Sequence, residues 1–224
     1  MADWALVVTA VAAVLTAAGV PLSTYLRRPK LRLTETDAAR HSHVESDGLA
    51  YLRLAVENAP HKRAAHGTRV IVEGYRRQGE AEEELRSLAH PSLGWPSAVE
   101  ARTDATVAAV TIHSGSGRPI DFGRFIRARR TAGDRLERTA EGHVVHRPTG
   151  DPDATWHLIL GLHDLSISDD RDKLRPGPWI IRLLVGADDG DAYRCDVHVA
   201  WSESLPSSQA VLEEALGRLA IVSV

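Results

Sequence analysis

The chain has 224 residues, of which 43% are hydrophobic and 25% charged, with a formal net charge of −3 at pH 7. That balance is ordinary for a globular protein and excludes a nucleic-acid binder, which carries a distinct basic excess. The single cysteine, Cys195, excludes an intramolecular disulfide and any Cys-x-x-Cys metal site.

From Trp4 to Leu26 there is no charged residue, and Arg27, Arg28, Lys30 and Arg32 follow at once. As a helix, Trp4–Leu22 spans roughly 28 Å, against a bilayer core of about 30 Å. It is apolar all round, whereas a core helix lying on a sheet keeps one polar face. Leu6, Val7, Val8, Val11, Val14, Leu15, Val20 and Leu22 favour insertion, and Trp4 and Tyr25 stand where interfacial aromatics belong. A cleaved signal peptide needs a basic start, which Met1-Ala2-Asp3 lacks. The sequence predicts an uncleaved single-pass signal-anchor over residues 1–26. No Lys or Arg precedes the helix and a cationic cluster follows it. The positive-inside rule then puts the amino terminus outside and the body in the cytoplasm, with Arg27, Arg28, Lys30 and Arg32 as stop-transfer charges. The lone cysteine agrees with that side.

In the body, Lys30–Thr36 alternates and reads as a strand, and Ala38–Gly48 reads as a polar turn. Leu49–Asn58 has a clear period of two, with Leu52, Leu54 and Val56 on one face and Tyr51, Arg53, Ala55 and Glu57 on the other. Thr68–Tyr75 is a strand rich in β-branched residues. Glu80–Ala89 holds helix formers and no β-branched residue, which predicts a short surface helix. Pro91, Gly94 and Pro96 surround Trp95 as a loop with an aromatic plug.

Thr106–His113 and Ile120–Ala128 are strands around a Ser114-Gly115-Ser116-Gly117 turn. Residues 129–154 form a long polar loop, with room for one short strand near His143–His146. Trp156–Leu162 is a strand, and Trp179–Ala187 with Asp191–Trp201 forms a hairpin across Asp188-Asp189-Gly190. From Ser207 to Ile221 the spacing of Val211, Leu212, Ala215, Leu216 and Leu219 predicts a helix started by Pro206. Many short strands with turns between them, and no alternation with helices, predict an all-β antiparallel sandwich over residues 27–205, followed by a short amphipathic helix over 206–224.

Two stretches carry a resemblance. Leu52–Tyr75 (LRLAVENAPHKRAAHGTRVIVEGY) resembles the opening of bacterial immunoglobulin-like domains of the CARDB type. There a strand ending in Val-x-Asn-x-Gly is followed by a small-residue turn and a Val-rich strand. Arg175–Trp201 (RPGPWIIRLLVGADDGDAYRCDVHVAW) is similar to their closing hairpin, where Pro-Gly-x-aromatic starts the penultimate strand. The layout resembles uncharacterised single-pass bacterial proteins with one such domain after the anchor. This chain departs in having Ala59 where the Gly is usual, and in its long loop over 129–154. The resemblance implies an immunoglobulin-like sandwich that binds or scaffolds and is not an enzyme.

The residues offer no catalytic constellation and no cofactor motif. His41 and His43 would face one side of a strand, and His143 and His146 lie three apart, but neither pair has a carboxylate at zinc-site spacing and no His-Glu-x-x-His occurs. The acidic stretch Asp164–Lys173 lacks the Gly and Glu of a calcium loop. His113 and Ser114 sit in a turn and lack the Gly-x-Ser-x-Gly elbow. Gly-rich phosphate loops are missing too. Two places read as possible interaction surfaces: the basic stretch Arg124, Arg127, Arg129 and Arg130, and the C-terminal helix at Leu216 and Leu219. The bland readings are a charged strand edge and a helix packed over its own sheet.

The expectation is a membrane-anchored, non-enzymatic interaction or scaffolding module. Its partners are the lipid bilayer and either another protein or further copies of itself, with no cofactor. The rival readings are a membrane-tethered metal-dependent hydrolase with its site in sandwich-end loops, and an exported envelope-binding domain of reversed orientation.

Overall fold

The alternation at Leu49–Asn58 is realised except at Ala55, which the pattern places on the outer face and which is buried. Leu52, Leu54 and Val56 are fully buried, while Tyr51, Arg53 and Glu57 on the other face are half-buried. The computed structural model describes residues 26–46, 48–81, 86–87, 92–96, 106–128, 137–138, 144–145, 155–161 and 173–224. In chain order its elements are β1 (Leu31–Thr34), α1 (Ala38–His41), β2 (His43–Ser46), β3 (Leu49–Asn58), β4 (Ala65–Arg77), β5 (Arg86–Ser87), β6 (Trp95–Pro96), β7 (Thr106–Val107), β8 (Val110–Ile112) and β9 (Gly117–Ala128). There follow β10 (Glu137–Arg138), β11 (Val144–Val145), β12 (Thr155–Leu160), β13 (Lys173–Leu174), β14 (Gly177–Gly186), β15 (Tyr193–Trp201), α2 (Ser208–Gly217) and β16 (Ala220–Ser223).

The described residues are mostly antiparallel β-strand, in two large sheets. One has the order β1-β3-β9-β12-β13, and the other β16-β15-β14-β4-β5. β1 and β2 lie along the same edge of β3, at opposite ends of it, so they are one edge strand broken by α1. In the gap the Ser42 hydroxyl takes the place of a ladder partner, accepting from the Arg53 N–H at 2.9 Å. β8 and β5 patch the outer edge of β4 in the same piecemeal way.

The inner faces meet in one core. It includes Leu52, Leu54, Phe122, Phe125, Trp156 and Leu158 from the first sheet and Val70, Val72, Ile181, Leu183, Val197 and Trp201 from the second. A bulge at Phe122–Gly123 keeps both Phe122 and Phe125 pointing inward. Close backbone approach at that bulge requires glycine, since a Cβ on Gly161 would stand 2.2 Å from the Asp121 carbonyl oxygen. Trp95 is the predicted plug, fully buried where the segment around it bridges the two sheets: Leu93 N–H donates to Val70 O, and Gly94 pairs with Asp121.

Four readings need correction. Ala38–Gly48 is not merely a turn but holds α1 and β2. Within Glu80–Ala89, Arg86–Ser87 is a strand paired with Gly74–Tyr75, so the helix propensity there yields to the open edge of β4. The strand foreseen at Thr106–His113 is two pieces, β7 and β8. The C-terminal helix stops at Gly217, and Ala220–Ser223 becomes β16, added to β15. The expected anchor, with Trp4, Leu6, Val7, Val8, Val11, Val14, Leu15, Val20, Leu22 and Tyr25, lies outside the described residues. Among the described residues, no helix is long and apolar enough to cross a membrane.

Candidate functional site

The strands run between two distinct ends. At the end where the described chain begins, the entry segment Leu26–Lys30 meets three connections: residues 59–64 between β3 and β4, residues 113–116 before β9, and residues 187–192 between β14 and β15. Asn58 knits them together. It is buried at the end of β3, and its Oδ1 accepts from the Lys30 N–H at 3.1 Å. Its Nδ2 donates to the carbonyls of Arg63 at 2.7 Å and Ile112 at 3.2 Å. Its backbone closes the turn before β9, donating to Ser116 O and accepting from Gly115 N–H.

The entry segment is therefore clamped. Arg63 N–H donates to Arg27 O at 2.7 Å, Ala59 N–H to Lys30 O at 3.0 Å, and the Lys62 ammonium to Leu26 O. On its other side Arg28 pairs with Asp191 at 3.7 Å, and Pro29 packs on Gly190. Of the four cations read in the sequence as stop-transfer charges, Arg27, Arg28 and Lys30 lie on this exposed rim, and Arg32 lies just beyond it in β1. Sequence reading did not group Lys62, Arg63 and His61 of the β3–β4 connection, His66 of β4 and His113 of the turn before β9, which the fold brings to the same end.

The opposite end is closed by α2. Ser207 caps it, accepting from Ala210 N–H at 3.2 Å, and Val211, Leu212 and Ala215 are buried in the core. Trp156 Nε1–H donates to Leu205 O, and Trp201 Nε1–H to Trp156 O, each at 2.9 Å, which fastens the segment before α2 to the sandwich. Leu216 and Leu219 are partly buried against that same core. Beyond α2, β16 pairs with β15 on one side, and no described strand pairs with its other edge. The segment Ala220–Val224 is uncharged, and Val222 and Val224 are 48% and 65% exposed. Such an edge usually carries a guarding charge, and this one has none.

The basic stretch is divided. Arg124 lies on the outer face of β9, opposite Tyr51 and Ile159, and Arg127 further along is half-buried. Arg129 and Arg130 lie outside the described residues. Asp121 accepts from Arg53 at 2.6 Å, while Arg53 lies over the Tyr51 ring and His43, paired with Tyr51 across β2 and β3, stacks on that ring at 5.0 Å. On the second sheet's outer face Arg182 holds Asp196 through two 2.8 Å bonds, and Arg194 holds Glu73. The hydrogen bond to Asp196 raises the Arg182 pKa above its ordinary value.

His41 ends α1 and His43 starts β2, so the two do not share a strand face. His143, His146 and most of Asp164–Lys173 lie outside the described residues. His113 and Ser116 belong to a closed turn, in which the Ser116 hydroxyl donates to His113 O at 2.8 Å. Among the described residues no three His, Cys, Asp or Glu side chains gather as a metal site. Cys195 is buried, and burial pushes its thiol up to about 12. Comparison of the chain with known protein families, with characterised proteins and with solved structures finds no match.

Proposed function

We propose that this chain is a membrane-anchored, non-enzymatic interaction module: an immunoglobulin-like sandwich of the CARDB kind, held at the inner side of a cell membrane by Trp4–Leu22 and offering its β16 edge to an extended segment of another protein. The observation that carries the reading is the junction. An uncharged stretch long enough to span a bilayer ends in sequence at Leu26, where the clamped entry segment begins.

The order β15-β14-β4 matches the G-F-C order of an immunoglobulin sheet, and β1-β3 matches its A-B pair. Beyond β3 the order β9-β12 rises along the chain, where an immunoglobulin domain has the later strand inside. The two stretches that carry the resemblance supply β14, β15, most of β3 and most of β4, four of the five strands that agree. Strand addition at an unguarded edge suits an interaction role, because backbone hydrogen bonds supply affinity and the exposed Val222 and Val224 supply apolar contact.

Alkaline carbonate washing of vesicles tests the anchor: the intact chain stays with the membrane. Mild detergent extraction then recovers a stoichiometric protein partner. Release by carbonate, or a lone monomer that turns over a substrate, overturns the proposal.

A further inference from the structure

The rim where the chain enters the sandwich is built from parts distant in sequence, and it is basic. Arg27, Arg28, Lys30, Lys62 and Arg63 gather there, facing the three aspartates of the β14–β15 turn. Those aspartates are engaged within the rim. Asp189 accepts from the His66 N–H at 3.1 Å, Asp191 pairs with Arg28, and the Asp188 carboxylate lies over Gly67. Five cations against three anions leave an excess of positive charge at the point where the apolar stretch joins the domain.

We infer that this end of the sandwich rests on the bilayer and that Arg27, Lys30, Lys62 and Arg63 engage anionic lipid headgroups; the inference rests on the anchor reading above. Two independent features point to that occupant. The first is position: Leu26 is bonded to Lys62 and Arg27 to Arg63, so whatever holds residues 4–25 in lipid also holds the β3–β4 connection at the lipid surface. The second is charge: a basic surface within a Debye length of phosphate headgroups is attracted to them, and a cationic pair from the β3–β4 connection lies beside the stop-transfer charges. The strands then run away from the membrane. The 10 residues of β3, at about 3.3 Å each, put α2 on the order of 30 Å from the rim.

The test uses the full chain in nanodiscs of phosphatidylcholine, alone or with phosphatidylglycerol. Ser114→Cys on the rim and Glu203→Cys at the far end each carry a maleimide fluorophore; both positions are exposed, whereas native Cys195 is buried and does not label. Quenching by nitroxide on the lipid headgroup is the readout. At Ser114 it exceeds that at Glu203 in both discs and is stronger with phosphatidylglycerol present than without, and Lys62→Gln with Arg63→Gln removes that difference. At Glu203 quenching is weak in both discs. Equal quenching at the two positions, or no response to phosphatidylglycerol at Ser114, overturns the inference. Carbonate washing separates the failures: a chain that stays in the membrane but shows equal quenching sinks the headgroup contact alone, and a chain that washes off sinks the anchor as well.

Discussion

Removing the Asn58 carboxamide takes the partner from the buried carbonyl of Ile112, from the carbonyl of Arg63 and from the Lys30 N–H at once. A lost bond that strands a buried polar group costs about 1–3 kcal/mol. Asn58→Ala is therefore expected to destabilise by about 3 kcal/mol, read as a lower denaturant midpoint with an unchanged slope. Asn58→Asp keeps the acceptor but sets a buried carboxylate oxygen against the carbonyls of Arg63 and Ile112, so it is expected to destabilise at least as much as Asn58→Ala. At the far end, Glu214 is pulled two ways. Burial pushes its carboxyl up, but the Ser202 hydroxyl and N–H and the Arg218 guanidinium outweigh burial and hold it below the usual range. Its folded value is depressed, so its contribution is present above the unfolded pKa and is lost as pH falls through the folded one. Glu214→Gln should leave neutral stability lower and flatten the acid limb below about pH 4.5, measured as unfolding midpoint against pH.

The two patterns in the last eighteen residues overlap, and that overlap misled the sequence reading. Leu216 and Leu219 continue a helical stripe from Val211, yet Leu219 and Ile221 also begin an alternation with Ala220 and Val222. The helix ends at Gly217, and the edge of β15 supplies backbone partners that a further helical turn would leave empty. A similar tertiary demand at the edge of β4 overrides the helix formers around Arg86. Where an element's own alternation decides its fate, as in β3, the sequence reading and the structure agree at every position but Ala55, which is buried on the outer face.

In β16, residue 224 donates inward to Arg194, so by strand alternation the Ser223 N–H points to the open side. Ser223→Pro removes only that outward donor and is expected to leave folding intact. It should abolish partner recovery from detergent, which a change confined to the Leu216 helix face would not do.

At the scale of the molecule, the layering into two antiparallel sheets was legible because turn residues punctuate short alternating runs. The rim was not. Its cations come from the entry segment and from the β3–β4 connection, and its acids from the β14–β15 turn, so only the closure of the sandwich makes them neighbours. Asn58 did leave a trace, as the Asn of the Val-x-Asn signature, but periodicity does not tell which amide will bind three segments. The polarity of β16 has one more consequence once the rim lies on lipid. Two identical edges can share an antiparallel ladder only if one molecule points its strands the opposite way. Neighbours planted in a common bilayer all point alike, so a twin could join that ladder only by standing on its head, with its lipid end in the water. On the anchored reading, antiparallel addition at the open edge is thereby closed to siblings of the same membrane face and left to chains that approach with their ends untethered.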